Sequence, residues 1–371
     1  MNYQKHVLAT DMVKCYAVCM FDGADTNGFV VATEKEGPMR RFTLDGKVIE
    51  DVNEGPGGVM TVTQAPGRGD QLMATYKFFS PNFGADDAKI VTWTRQADGT
   101  WKMSVVCDLP YVHRFGVLKG ADGQDWLIAC TIKSECRQFK NDWRDPGAVY
   151  VAPLDGDLER YDEDHQLQLT KIANYQLQNH GFYMAPDRSF ALVGTAAGVF
   201  RYTAPATRDG EWDVRCLLVQ PTSDMCLADL DGDGKDEVVT ISTFHGDTLS
   251  VWHATENEDS YEKVWEDPEK RPFLHAIWSG DLAGKPSAVL GNRKGGRDLM
   301  RLGYEDGAYA VEIIDHDCGP ANCWVFNDGQ DHIISANRET NEVALYDVTA
   351  SALRPSRPRS PRGRGSLTKG A

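Results

Sequence analysis

The sequence has no apolar run approaching the roughly 18 residues that a membrane-crossing helix needs. Its opening, MNYQKHVLATDMVKCYAVCMF, also lacks a basic segment followed by an uninterrupted apolar one. A membrane span is therefore excluded and a secretory leader is not expected. Helical periodicity is absent too: no capped window of about twelve residues repeats apolar positions at i, i+3, i+4 and i+7. The nine cysteines are odd in number and form no CxxC pair, and Cys15 and Cys19 would share one face of a strand rather than bracket an ion. Reduced, mostly buried thiols in a cytoplasmic protein are the expectation.

Basic charge is also scarce. Against 55 acidic side chains stand 39 Lys and Arg, a net charge of −16. Six of those bases (Arg354, Arg357, Arg359, Arg362, Arg364 and Lys369) lie in an acid-free terminal stretch, and without them the rest carries −22. Such a surface repels phosphates, so nucleic acid is not an expected partner. Residues 351–371 have almost nothing to bury and read as a disordered basic tail or a remnant foreign to the fold, leaving 1–350 as the folded unit.

What is abundant is short β-branched or aromatic runs between Gly, Asp, Asn and Pro clusters, among them GFVVAT, KIVTWT, DWLIACTI, FALVGT, EVVTIST and HIISAN. The chain is all-β. A strand, a tight Asp/Gly hairpin and an apolar strand return seven times, starting at Cys15, Gly58, His113, His180, Asp224, His275 and Cys323. The mean spacing is about 51 residues, close to propeller-blade repeats. The longest interval, between His113 and His180, holds an insertion. After Cys323 there is room for three strands (322–327, 331–337 and 342–348), whereas earlier repeats have room for four. Residues 3–9 supply the missing outer strand, which predicts one seven-bladed β-propeller closed by an N-terminal strand in the last blade.

Residues 229–237, DLDGDGKDE, form the most specific local motif. Asp229, Asp231, Asp233, the Lys235 carbonyl and Glu237 offer oxygen ligands for a hard cation, Ca²⁺ or Mg²⁺, in a structural role. A strand follows, and position twelve is Thr240 rather than Glu, so this is not an EF-hand. The loop resembles the FG-GAP and VCBS calcium loops of integrin-like propellers.

Ligands of propellers bind at one end of the central channel, where inner strands begin and second strands end. The first residue of each repeat should therefore approach the polar residue about twenty positions later. Three first positions are histidine: His113, His180 and His275. The second set is Lys35, Lys77, Lys133, His245, Arg293 and Arg338, and Asp224 opens blade five. A lone strand histidine is ordinarily a satisfied core residue, but three in equivalent places point to chemistry. Imidazoles beside cations supply a base titrating near neutrality and charge for an oxyanion, or neutral nitrogens for a second divalent metal in the funnel. Tyr76, Phe78, Phe79, Phe83, Phe139, Trp143, Phe182, Phe244 and Trp278 cluster near this rim, about half of them expected to pack between blades and the rest to suit a sugar face. His6, His165, His253, His316 and His332 are expected at the surface.

Three stretches, STFHGDTLSVW (242–252), KNDWRDPGAVYV (140–151) and FLHAIWSGDLAGKPSAVLGNRKGG (273–296), resemble the propeller domain of aldos-2-ulose dehydratase, which removes water from 1,5-anhydrofructose and related keto-sugars. The likeness spans roughly 1–350 and is sharp only in those stretches. That family carries its isomerase step on two cupin domains, of which this sequence shows none, so the resemblance implies dehydration alone. It implies His245 and His275 as site residues, with Asp247 and Arg293 beside them. His113 and His180 as catalytic residues, and Lys133 and Arg338 as substrate contacts, come from the repeat. The expected function is a carbon–oxygen lyase acting on a keto-sugar or related saccharide, uronate elimination being a close variant. The alternative is a non-catalytic, calcium-stabilised propeller that binds glycans or proteins. A small carbohydrate is the expected partner.

Overall fold

A computed structural model describes residues 1–79, 84–135, 142–257 and 260–350. Phe83, Phe139, part of the 140–151 stretch and the basic tail lie outside the described residues. Seven four-stranded antiparallel sheets form a ring. In chain order the blades are β2–β5 (Cys15–Asp22, Asn27–Thr33, Met39–Thr43, Val48–Asn53), β6–β9 (Val62–Gln64, Gln71–Tyr76, Lys89–Arg95, Trp101–Asp108) and β10–β13 (Val112–Lys119, Asp125–Thr131, Gly147–Leu154, Thr170–Gln176). There follow β14–β17 (Gly181–Met184, Phe190–Gly194, Val199–Thr203, Asp213–Leu218), β18–β21 (Asp224–Ala228, Glu237–Ser242, Thr248–Ala254, Tyr261–Glu266) and β22–β25 (Leu274–Leu282, Lys285–Asn292, Leu299–Glu305, Ala308–Asp315). The last blade joins β26–β28 (Asn322–Asn327, Asp331–Asn337, Glu342–Thr349) to β1 (Asn2–Ala9). His6 of β1 pairs with Leu345 of β28, so the first and last strands close the ring.

Each blade is covered on both faces by its neighbours, which explains why second strands are buried on both faces rather than on alternate residues. All six residues of β7 and of β19 are buried, while the outer strand β17 is exposed over its first four. Inner strands touch in sequence around the channel, β26 reaching back to β2. In the long third repeat, Leu158, Tyr161 and Leu167 of the β12–β13 connection pack into the core shared with blade two. Among the described residues no helix is long and apolar enough to cross a membrane.

The connections into six of the seven inner strands, all but that of blade five, share a device. Lys14, Gly58, Tyr111, Gln178, Phe273 and Gly319 all adopt left-handed backbone, with φ of 57, 70, 63, 53, 61 and 63°. Two residues later stand Tyr16, Met60, His113, His180, His275 and Ala321. Register shifts at Tyr16, His113 and His275 mark bulges that re-aim those side chains. At Gly58 a Cβ would come within 2.4 Å of the Phe78 nitrogen, so glycine is required. The structure thus corrects the repeat register: the residue presented to the channel mouth is Tyr16 in blade one, at a bulge, and Met60 in blade two, two residues past the left-handed Gly58, not Cys15 and Gly58.

Candidate functional site

The start of β10, the residue before β14, the turn after β19 and the start of β22 bring His113, His180, His245 and His275 to one cavity of about 100 Å³. It is also lined by Tyr16, Glu34, Phe78, Trp143 and Arg293. Ring centroids are 4.7 Å apart for His113 and His180, 4.8 Å for His180 and His245, and 5.1 Å for His180 and His275. His245, left-handed at φ 48°, is sandwiched between Phe244 at 4.0 Å and Phe273 at 4.5 Å.

The tautomers follow from the neighbouring blades. His180 Nδ1 lies 3.0 Å from the Ser223 carbonyl and His275 Nδ1 2.7 Å from that of Ala321. A carbonyl only accepts, so both Nδ1 atoms carry the proton and both Nε2 atoms present a lone pair. His275 Nε2 accepts from the Tyr16 hydroxyl at 3.1 Å, and His180 Nε2 lies 3.3 Å from His245 Nε2. The Arg114 guanidinium donates to the Met60 carbonyl (2.6 Å) and to Tyr16 Oη (3.4 Å).

His113, His180 and His275 are 4, 1 and 2 % exposed, not the open funnel side chains expected of the channel rim. Burial, reinforced for His113 by Arg114, for His180 by His245 and for His275 by Arg293, holds each well below the ordinary imidazole value. Burial and then Arg293 take His245 down to about 3. All four are neutral at pH 7, which replaces the expectation of a base titrating near neutrality: desolvation, with Arg114 and Arg293 beside the rings, disfavours the imidazolium.

The nitrogens of His180, His245 and His275 lie within 4.8 Å of one another and could hold a metal ion. Zinc–imidazole bonds of about 2.0–2.1 Å place tetrahedral ligands about 3.3 Å apart, the separation of the His180 and His245 Nε2 atoms. Neutral rings, two of them with tautomers fixed by carbonyls, make this donor set fit a divalent metal once the His245 ring turns a lone pair toward it.

The expected substrate contacts separate. Arg293 lines the cavity, lies 4.7 Å over the Phe273 ring and pairs with Glu339 at 2.9 Å. Arg338 stands behind, engaging both oxygens of Glu34 and, at 2.7 Å, Glu339. Burial would raise the Glu339 carboxyl, but Arg293 and Arg338 outweigh it and hold the acid at about 2. Lys133 is buried, donates to the Asp142 carbonyl at 2.6 Å and lines a separate cavity of about 410 Å³ with Tyr150 and Lys171. Lys77 turns away to Asp87, and Lys35 donates to the Phe79 carbonyl. Asp247 is exposed, accepts from Thr248 and does not line the cavity. Reading the repeat misses Tyr16 and Glu34; Tyr16 is recoverable from the equivalence of CY, VH and LH at the starts of β2, β10 and β22.

The blade-five hairpin forms a second cluster. Asp229 accepts from the Gly232 and Gly234 amides, Asp231 from Asp233 and Asp233 from Lys235, at 2.9–3.1 Å. The Lys235 amide thus takes part in the turn. Glu237 Oε2 accepts from the Leu230 amide at 2.6 Å. Asp229, Asp231 and Glu237 could hold an ion, and so could Asp231, Asp233 and His253. His253 is therefore not a bystander at the surface: its ring comes from β20 and faces the loop, four-fifths buried.

No protein-family model matches the sequence, and no curated protein matches it. Solved structures share the architecture. A chain of the mitotic checkpoint complex aligns at TM-score 0.59 and 10 % identity over 94 % of each chain. The β-propeller domain of Cps50 (Swd1) from Myceliophteria thermophila aligns at 0.57 and 9 % over 93 % of this chain and all of that one. A Bacteroides uniformis protein inferred to be a 6-phosphogluconolactonase aligns at 0.53 and 11 %, over 90 % and 92 %. At these identities the likeness establishes the seven-bladed propeller and leaves activity to the site itself.

Proposed function

We propose that the channel mouth is the active site of a carbon–oxygen lyase that removes water from a small keto-sugar. The observation that carries this reading is the convergence of four neutral imidazoles, a tyrosine and an arginine on one cavity. Its size suits the reacting end of a polyol, the remainder lying in the open mouth. His113 lines the cavity beside Tyr16 and His180, and this ring takes the proton alpha to the ketone. Arg293 faces the oxygen on which enolate charge gathers. Tyr16 Oη, held by Arg114, delivers a proton to the departing hydroxyl, so that a C–H and a C–O bond break, a C=C bond forms and water leaves. The proton on His113 then restores Tyr16, whose ring centroid is 6.4 Å away. A divalent cation bound by His180, His245 and His275 would polarise the substrate carbonyl. The acidic surface argues against nucleic acid as a partner, and the unpaired cysteines among the described residues fit a reducing cytoplasm.

The test is to incubate the purified protein with 1,5-anhydrofructose and 3-keto-glucosides and follow enone absorbance, with sugar lactones as controls prompted by the name of the Bacteroides propeller. Enone formation supports the lyase. Lactone opening without enone would make the site a hydrolase, and binding without turnover would leave the glycan- or protein-binding reading.

A further inference from the structure

By sequence the acidic hairpin is a hard-cation loop, all of whose ligands are oxygen. The folded chain adds a nitrogen. His253 Nδ1 lies 2.7 Å from the Ala254 carbonyl, which can only accept, so in the neutral ring Nε2 carries a lone pair. That Nε2 lies 3.1 Å from Asp233 Oδ2, 3.7 Å from Asp231 Oδ2 and 3.6 Å from Glu237 Oε1. Glu237 is fully buried, and its Oε1 has no hydrogen-bond partner. One carboxylate oxygen of Asp231, Asp233 and Glu237 is used by a backbone amide. The other in each case is the one turned toward the imidazole. The imidazole nitrogen thus has three carboxylate oxygens within 3.1–3.7 Å, an arrangement that calls for positive charge among them, either a bound cation or the ring's own proton.

We propose that Asp231, Asp233, Glu237 and His253 form a binding site for a first-row divalent metal of the manganese or zinc class, selected over calcium by the imidazole. Calcium and magnesium take oxygen ligands, whereas an imidazole among carboxylates favours borderline cations. The Asp229 carboxylate, tied by both oxygens to Gly232 and Gly234, shapes the turn that presents the other three. The site is independent of the lyase reading, because it lies in the hairpin joining β18 to β19 rather than at the channel mouth.

The test uses the full chain with His245→Ala and His275→Ala, so that the funnel cannot take metal. Calorimetric titration with Mn²⁺, Zn²⁺ and Ca²⁺ should give one site that prefers Mn²⁺ or Zn²⁺ over Ca²⁺ at least tenfold. Adding His253→Gln should erase the preference, and adding Asp231→Asn should lower affinity for all three. In the Mn²⁺-loaded protein, pulsed electron paramagnetic resonance should detect imidazole nitrogen bound to the ion, a readout that survives even if a loop variant folds poorly. Equal or tighter Ca²⁺ binding unaffected by His253→Gln, a manganese spectrum without nitrogen coupling, or absence of binding because a protonated His253 fills the place of the ion would each overturn the proposal.

Discussion

The two donor clusters of this propeller are built in opposite ways. The blade-five loop is local: four carboxylates within one hairpin, bent inward by their own backbone amides, with one ring from the next strand. The funnel cluster is assembled from four blades, and its rings are oriented by carbonyls of neighbouring blades, Ser223 for His180 and Ala321 for His275. A local cluster can form wherever the hairpin forms. The funnel cluster exists only when the ring closes, so its geometry inherits the rigidity of the whole fold and suits a role that needs fixed positions.

The sharpest way to separate them is to remove one funnel ligand. His245→Ala should cut turnover of a keto-sugar by about 10²–10⁴-fold and abolish one of two bound divalent ions, leaving the loop ion in place. Mass-spectrometric metal counts alongside initial rates check this, and loss of both ions together would break the distinction.

Asp224 gives the next largest effect. Burial raises its carboxyl to about 7, against the opposing charge of Arg114 and amide hydrogen bonds from Met225 and Phe182. An acid raised on folding is penalised when ionised. Stability should therefore fall as pH rises from the unfolded value near 3.8 to about 7 and then level, losing about 1.4 kcal/mol for each pH unit crossed. Asp224→Asn should remove that decline, as seen in denaturant midpoints across pH; an unchanged slope would show that this funnel position carries no buried charge.

His275→Ala should cost about 1–3 kcal/mol, because the Ala321 carbonyl loses its donor inside the ring. The same change at His253, whose partners lie in the loop and on its own strand, should cost less in metal-free protein, and equal losses would argue against the contrast between a local and an assembled cluster. The smallest effect belongs to Asp247→Ala, which should leave turnover within a factor of about two, the residue being exposed and away from the cavity.

The blade count, the strand limits at 322–327 and 331–337 and the closing role of the N-terminal strand were legible because turn residues punctuate the chain at a steady period, and a strand deficit at one end demands a partner from the other. The histidines were legible for the same reason. Tyr16 and Met60 were not, since a left-handed residue in both blades, and a bulge at Tyr16, move the presented position past the start of the repeat. Nor was the fate of the cations: sequence spacing puts Arg338 and Lys133 on one rim with the histidines, whereas in the folded chain Arg338 is held by Glu34 and Lys133 donates to the Asp142 carbonyl beside a separate cavity. His253 is hidden at the sequence level because its metal-loop partners precede it by a full strand, outside any motif window.

At the centre of the proposed mechanism, His113 does chemistry at the channel mouth rather than merely filling it. The most direct measurement is kcat for enone formation by wild type and His113→Gln, with bound metal and melting temperature recorded on the same samples. A fall of about 10²–10⁴-fold at unchanged metal content is expected. A His113→Gln enzyme that turns over at the wild-type rate would contradict it.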